Sequence, residues 1–136
     1  MVAAAALAPA SAWGAALDVE IRGLRPDGGP VIVALFSARA GFPRMQAAQR
    51  RITVRADAEI MRVPLGEVGS GVWALAVHHD QDGDGVLDFR WFPPGPAEGT
   101  SASCPRRPLA MPAWSSCSFL VGSTPMLRTL EMWYPR

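Results

Sequence analysis

The fold class that the sequence predicts is an all-β sandwich, and three observations predict it. The 136-residue chain carries 13 Gly and 13 Pro, residues that helices tolerate poorly and turn-rich β domains use freely. Short runs of apolar or alternating character recur along it, separated by turn chemistry. No segment has a convincing amphipathic helical period. About seven strands are expected, with one long Pro-rich loop near the C-terminal third. Length alone points to a single domain, and 49% apolar against 18% charged residues is enough for a packed core.

Taken in order, Leu17-Asp18-Val19-Glu20-Ile21-Arg22 alternates apolar and charged, the signature of a strand with one buried face. Arg25-Pro26-Asp27-Gly28-Gly29 is a turn: Pro presets φ, Asp bonds its own backbone, and Gly accepts positive φ. Val31 to Phe36 is a continuous apolar run, as for a strand covered on both faces, and with the first strand it reads as a hairpin. Ser37 to Arg51 is irregular; Pro43 to Arg50 forms a short helix or a polar excursion, anchored by Phe42 and Met45. Ile52–Arg55 and Glu59–Leu65 are two strands or, since Ala56-Asp57-Ala58 holds neither Gly nor Pro, one long bent strand.

The strongest strand runs from Val72 to His79. Trp73, Leu75, Val77 and His79 share one face and are expected to point into the core; Val72, Ala74, Ala76 and His78 share the other. Val86 to Phe92 is a short strand. Pro93 to Ser116 is the long loop, and Cys117–Val121 and Met126–Tyr134 are the last strands.

Val2 to Ala16 is small, apolar and uncharged, ending in Ala-Ser-Ala and Gly-Ala-Ala, residues of the type a signal peptidase reads. It is too short to span a membrane. No Lys or Arg precedes it, so either the start lies further upstream or the stretch is a frayed N-terminal segment. Residues 1–16 are read as signal-peptide-like and 17–136 as the sandwich domain, periplasmic or secreted. In such an oxidising compartment Cys104 and Cys117, with twelve residues between them, are expected to pair. All 13 basic residues are Arg, spread evenly against 12 acids, so nothing in the charge pattern points to nucleic acid.

One stretch carries chemistry. Asp80-Gln81-Asp82-Gly83-Asp84-Gly85-Val86-Leu87-Asp88 places carboxylates at positions one, three, five and nine, a spacing that wraps oxygen ligands around a hard cation. Gly85 permits the sharp turn and the Val86 carbonyl serves at seven. The metal ligands expected are therefore Asp80, Asp82, Asp84, Val86 and Asp88, and the cofactor Ca²⁺. The twelfth position, where an EF-hand has a bidentate Glu, is Trp91, and strands flank the loop rather than helices. Asp88, or a more distant group such as Glu98, is left to complete the shell. Without an ion the same residues make a solvated Asx- and Gly-rich turn.

Neighbouring residues on a strand face opposite ways, so His78 and His79 are not expected to share an ion. His79 is read as a core-edge residue that orients the base of the loop. Trp91 and Trp114, with Glu98, are candidate ligand contacts for a glycan or peptide, or else cover the loop. No catalytic residues are identified: there is no Gly-x-Ser-x-Gly elbow, no His-Glu-x-x-His and no phosphate loop. The leading expectation is a non-enzymatic binding or structural module, with a carbohydrate- or peptide-binding module second and an unrecognised hydrolase third. The partner is a protein, peptide or glycan of unknown identity.

A family pattern runs through this region. Gly71-Val72-Trp73-Ala74-Leu75-Ala76-Val77 leads into His79-Asp80, the Gln81–Gly85 loop, Leu87-Asp88 and then Pro96-Ala97-Glu98-Gly99-Thr100-Ser101. These residues resemble the domain of unknown function 2141 family, small exported bacterial proteins. The resemblance implies an immunoglobulin- or transthyretin-like sandwich and a periplasmic location, and supplies no activity or ligand. This chain departs from the family's usual pattern in having more Asp than Asn in the loop, and in its Cys104/Cys117 pair.

Overall fold

The protein is described by a computed structural model, which covers residues 14–85, 89–91, 94–96, 98–106 and 111–135. Two sheets face each other across one core. The first has the order β10-β1-β4, built from β1 (Ala15–Arg22), β4 (Met61–Val68) and β10 (Met126–Glu131). The second has the order β3-β2-β5-β8, from β2 (Pro30–Phe36), β3 (Arg50–Arg55), β5 (Gly71–His79) and β8 (Gly99–Ala102), with β9 (Phe119–Val121) also on β5. A separate ribbon pairs β6 (Phe89–Trp91) with β7 (Pro94–Pro96). The all-β sandwich expectation is met, with ten strands among the described residues rather than about seven.

The alternation read in the first strand places Leu17, Val19 and Ile21 inside, against Val63, Leu65 and Leu130 of their own sheet and Val31, Val33, Leu35, Leu75 and Val77 of the other. Burial of these side chains, each worth about 1.5–3 kcal/mol, is what holds the two layers together. Pairing of β1 extends to Ala15, opposite Val68, two residues before Leu17.

Two sequence expectations need correction, and two that had been left open are decided. The first two strands are not a hairpin: β1 pairs with β4 and, in parallel, with β10, while β2 pairs with β3 and β5. Leu24 of the connection is buried in the core, so the chain crosses from one sheet to the other there. The 52–65 region is two strands in different sheets; between them buried Ala56 donates its N–H to the Gly29 carbonyl and its own carbonyl accepts the Gly28 N–H. The 93–116 stretch is not all loop. It holds β7, β8 and a one-turn helix, α1 (Trp114–Cys117). The segment after β2 does contain a short helix, a 3₁₀ turn at Met45–Ala47, anchored by Phe42 and Met45 as expected.

On the outer face of the second sheet, Ala34, Phe36 and Ala76 form a smaller core beneath Phe42, Met45 and Trp114. Phe42 sits edge-on to both Phe36 and Trp114. Cys104 and Cys117 are disulfide-bonded, tying the end of β8 to α1.

Candidate cation site

β5 positions the site. It is flanked from Ala74 to His79 by β2, from Val31↔His79 to Phe36↔Ala74, and at its C-terminal half by β8, with His78↔Thr100 and His79↔Gly99. Continuing that antiparallel register sets Asp80 beside Glu98. Side chains two apart on a strand, and those directly opposite on its neighbour, share a face. His78, Asp80 and Glu98 therefore converge on the outer face, and His79 points the other way.

All three converging side chains are buried, at 1% exposure for His78, 2% for Asp80 and 5% for Glu98. His78 Nε2 lies 3.0 Å from Glu98 Oε1, and Glu98 Oε2 accepts the Asp82 N–H at 3.3 Å. The loop turns back over them on two glycines, Gly83 at φ 73° and Gly85 at φ 78°, a conformation other residues rarely adopt. That turn lets the Gly85 N–H donate to Asp80 Oδ2 at 2.7 Å, while Gly83 N–H donates to the Asp80 carbonyl. Asp80 Oδ1 is buried with no hydrogen-bond partner among the described residues. Burial pushes the Asp80 carboxyl above the usual aspartate range; Asp82 and Glu98 add to this, and the Gly85 N–H and His78 oppose it.

Two overlapping groups of ligand atoms result, each with its members within 4.8 Å of one another: Asp80, Asp82, Asp84 and Glu98, and separately His78, Asp80 and Glu98. Ligands on opposite sides of a Ca²⁺ ion stand about 5 Å apart, twice the metal–oxygen distance, so the four-carboxylate group has the right span. Asp82 and Asp84 are exposed, which leaves the loop side as the route of entry.

Of the residues singled out from sequence, the structure brings together Asp80, Asp82, Asp84 and Glu98, with Gly85 shaping the turn. Val86 and Asp88 lie outside the described residues, as does the side chain of Trp91. Trp114 is half-buried against Phe42 on the outer face of the second sheet. The residue that sequence reasoning passed over is His78. Its signal was available: it shares a face with Asp80, two positions along the same strand.

His79 is fully buried and reaches Asp27 rather than the acidic loop. Its Nε2 is 2.8 Å from Asp27 Oδ1 and its Nδ1 is 2.6 Å from the Tyr134 hydroxyl, which in turn accepts the Arg25 N–H at 3.0 Å. A proton on Nε2 satisfies every member: Nε2–H donates to the carboxylate and the tyrosine O–H donates to Nδ1. Asp27 also accepts the Gly29 N–H and the Gln81 side-chain amide. Among the described residues, His79 thus reaches the loop through Asp27, which accepts from Gln81. Gly99 closes the network from β8; a Cβ there would collide with the Tyr134 ring.

No curated protein and no solved structure matches this chain. The family model described as an uncharacterized protein conserved in bacteria, DUF2141, matches residues 19–127, so the chain is a member of the DUF2141 family.

Proposed function

We propose that this protein is a non-enzymatic extracytoplasmic module that binds Ca²⁺ through Asp80, Asp82, Asp84 and Glu98. The Val86 carbonyl and Asp88 are further oxygens that the loop sequence offers. The observation that carries this reading is Asp80 Oδ1, a buried carboxylate oxygen without a hydrogen-bond partner among the described residues, in a group of four carboxylates within 4.8 Å. Like charges that close repel one another, and a divalent ion converts that repulsion into attraction. The ion would tie the loop after β5 to Glu98 at the start of β8, and so stiffen one end of the second sheet.

The compartment belongs to the same reading. The Cys104–Cys117 disulfide fits an oxidising environment, where such bonds persist. No helix among the described residues is long and apolar enough to cross a membrane. Free Ca²⁺ outside the cytosol is high enough for sites with dissociation constants of roughly 10⁻⁴–10⁻³ M.

The test is a pair of melting curves, in excess Ca²⁺ and in chelator. Ca²⁺ at about 100 times its dissociation constant is expected to add about 2.7 kcal/mol of stability. Superimposable curves would refute the proposal.

A further inference from the structure

The two ligand groups share Asp80 and Glu98 but differ in their remaining donors. The outer group adds two exposed carboxylates, Asp82 and Asp84, and is made of oxygen alone. The inner group adds an imidazole nitrogen and is buried throughout. Hard ions such as Ca²⁺ have no use for that nitrogen, whereas imidazole suits Zn²⁺, Co²⁺ and their neighbours.

We propose that the inner half of this site, His78 Nε2 with the carboxylates of Asp80 and Glu98, is a second cation site that takes a first-row transition dication of the Zn²⁺ class. Its occupation excludes Ca²⁺, because both ions need the same two carboxylates. This deepens the Ca²⁺ reading and rests on it for the premise that the acidic cluster binds cations.

Three features support the inner set. The separation of 3.0 Å between His78 Nε2 and Glu98 Oε1 is close to the ~3.3 Å edge of a tetrahedron at Zn–N and Zn–O bond lengths. Asp80 Oδ1 supplies a carboxylate oxygen that is buried and already free of other hydrogen bonds among the described residues. Two carboxylates and a neutral imidazole balance a dication, so the buried set carries no excess charge once filled. Three protein ligands leave a further position on the metal for water, as in open zinc sites. Placing Nε2 on a metal requires the imidazole proton on Nδ1, so its bond to Glu98 gives way to the ion.

Co²⁺ is the probe, since its visible bands report ligand type, with Ca²⁺ as competitor. One Co²⁺ is expected to bind per chain, with a hyperfine-shifted imidazole N–H resonance in the unsubstituted protein, and Ca²⁺ is expected to raise the apparent Co²⁺ dissociation constant in proportion to its own concentration. His78→Gln is expected to weaken Co²⁺ by at least about tenfold, the scale that loss of even an outer partner of a metal ligand costs, while leaving the Ca²⁺ melting shift in place. Asp84→Asn is expected to do the reverse. Co²⁺ affinity and bands unchanged in His78→Gln, no shifted imidazole signal in the unsubstituted protein, or simultaneous binding of both ions would each overturn the inner site while leaving the Ca²⁺ reading untouched. A His78-dependent Co²⁺ site in a protein whose melting ignores Ca²⁺ would uphold the inner site and refute the Ca²⁺ loop.

Discussion

His78 and His79 are consecutive residues of one strand, equally buried, and each is bonded to a carboxylate at about the same distance. Their surroundings nonetheless differ in kind. His79, on the inner face, sits in a closed network: Arg25 N–H, Tyr134 hydroxyl, imidazole and Asp27, with donors and acceptors matched at each step. Around His78, on the outer face, Asp80 and Glu98 gather with it, and one buried oxygen of Asp80 has no partner among the described residues. A buried polar network that is fully satisfied stiffens a fold; one that is left unfinished points to something that completes it. Burial and residue type alone would have ranked the two histidines together. What separates them is the balance of donors and acceptors.

The largest effect expected from breaking this contrast lies on the satisfied side. His79→Ala removes a fully buried ring, opens a cavity between the sheets and leaves both the Tyr134 hydroxyl and an Asp27 oxygen without their bonds. A loss of about 3 kcal/mol is expected, the same in Ca²⁺ and in chelator, read from urea unfolding. A loss that depended on Ca²⁺ would move His79 into the cation site.

Asp80→Asn tests the other side, with an effect nearly as large that appears only with the ion. The amide oxygen can still accept the Gly85 N–H, and one negative charge leaves the cluster. In chelator the variant is expected to equal or exceed the parent in stability, because burial and the neighbouring acids already disfavour the charged Asp80. In Ca²⁺ it is expected to lose most of the parent's gain of about 2.7 kcal/mol. Equal responses of parent and variant to Ca²⁺ would show that Asp80 is no ligand.

How much of this was legible in the sequence follows from the range of each interaction. Period-two patterning located β1, β5 and β10, and a continuous apolar run located β2, because inward-facing positions such as Leu17, Val19 and Ile21 need only a core, whichever strand pairs beside them. Partner choice is a long-range matter, and there the hairpin reading of β1 and β2 failed. Turn chemistry at Pro26-Asp27-Gly28 serves a crossover between sheets as well as a hairpin, and the buried Leu24 that marks the crossover looks in sequence like any other loop leucine. β8 was missed because Gly99-Thr100-Ser101-Ala102 has no apolar alternation; it is held by backbone pairing to β5 and by the bond from Ser101 to the Glu131 carbonyl. The carboxylate spacing of the loop was local and readable. That Glu98 joins it depends on the β5–β8 register, which no local pattern carries, so the sequence offered Glu98 only as a more distant candidate. The Tyr134–His79–Asp27 network spans the chain from end to end, and no local pattern announces it.

The smallest expected effect sharpens the same comparison through pH. Burial of Asp27 pushes its carboxyl upward, but the Gly29 N–H, His79 and Gln81 outweigh this, and the net result is below the ordinary aspartate value of 3.8. A carboxyl whose value is lower in the folded protein than in the unfolded chain contributes stability at pH above the unfolded value, and loses it as pH falls through the folded one. Asp80 has the opposite sign: its raised value favours the folded state below the unfolded value and stops doing so as pH rises through the folded one. In chelator, the stability gap between the parent and Asp27→Asn is therefore expected to be constant above about pH 5 and to narrow toward pH 3, while Asp80, present in both proteins, cancels from the difference. The gap is expected to be modest, because the Asp27 side chain is 37% exposed and its interactions are screened by water. A gap that widened on acidification would mean that Asp27 is held protonated in the folded protein, and the closed network around His79 would then have to be drawn with a different proton count.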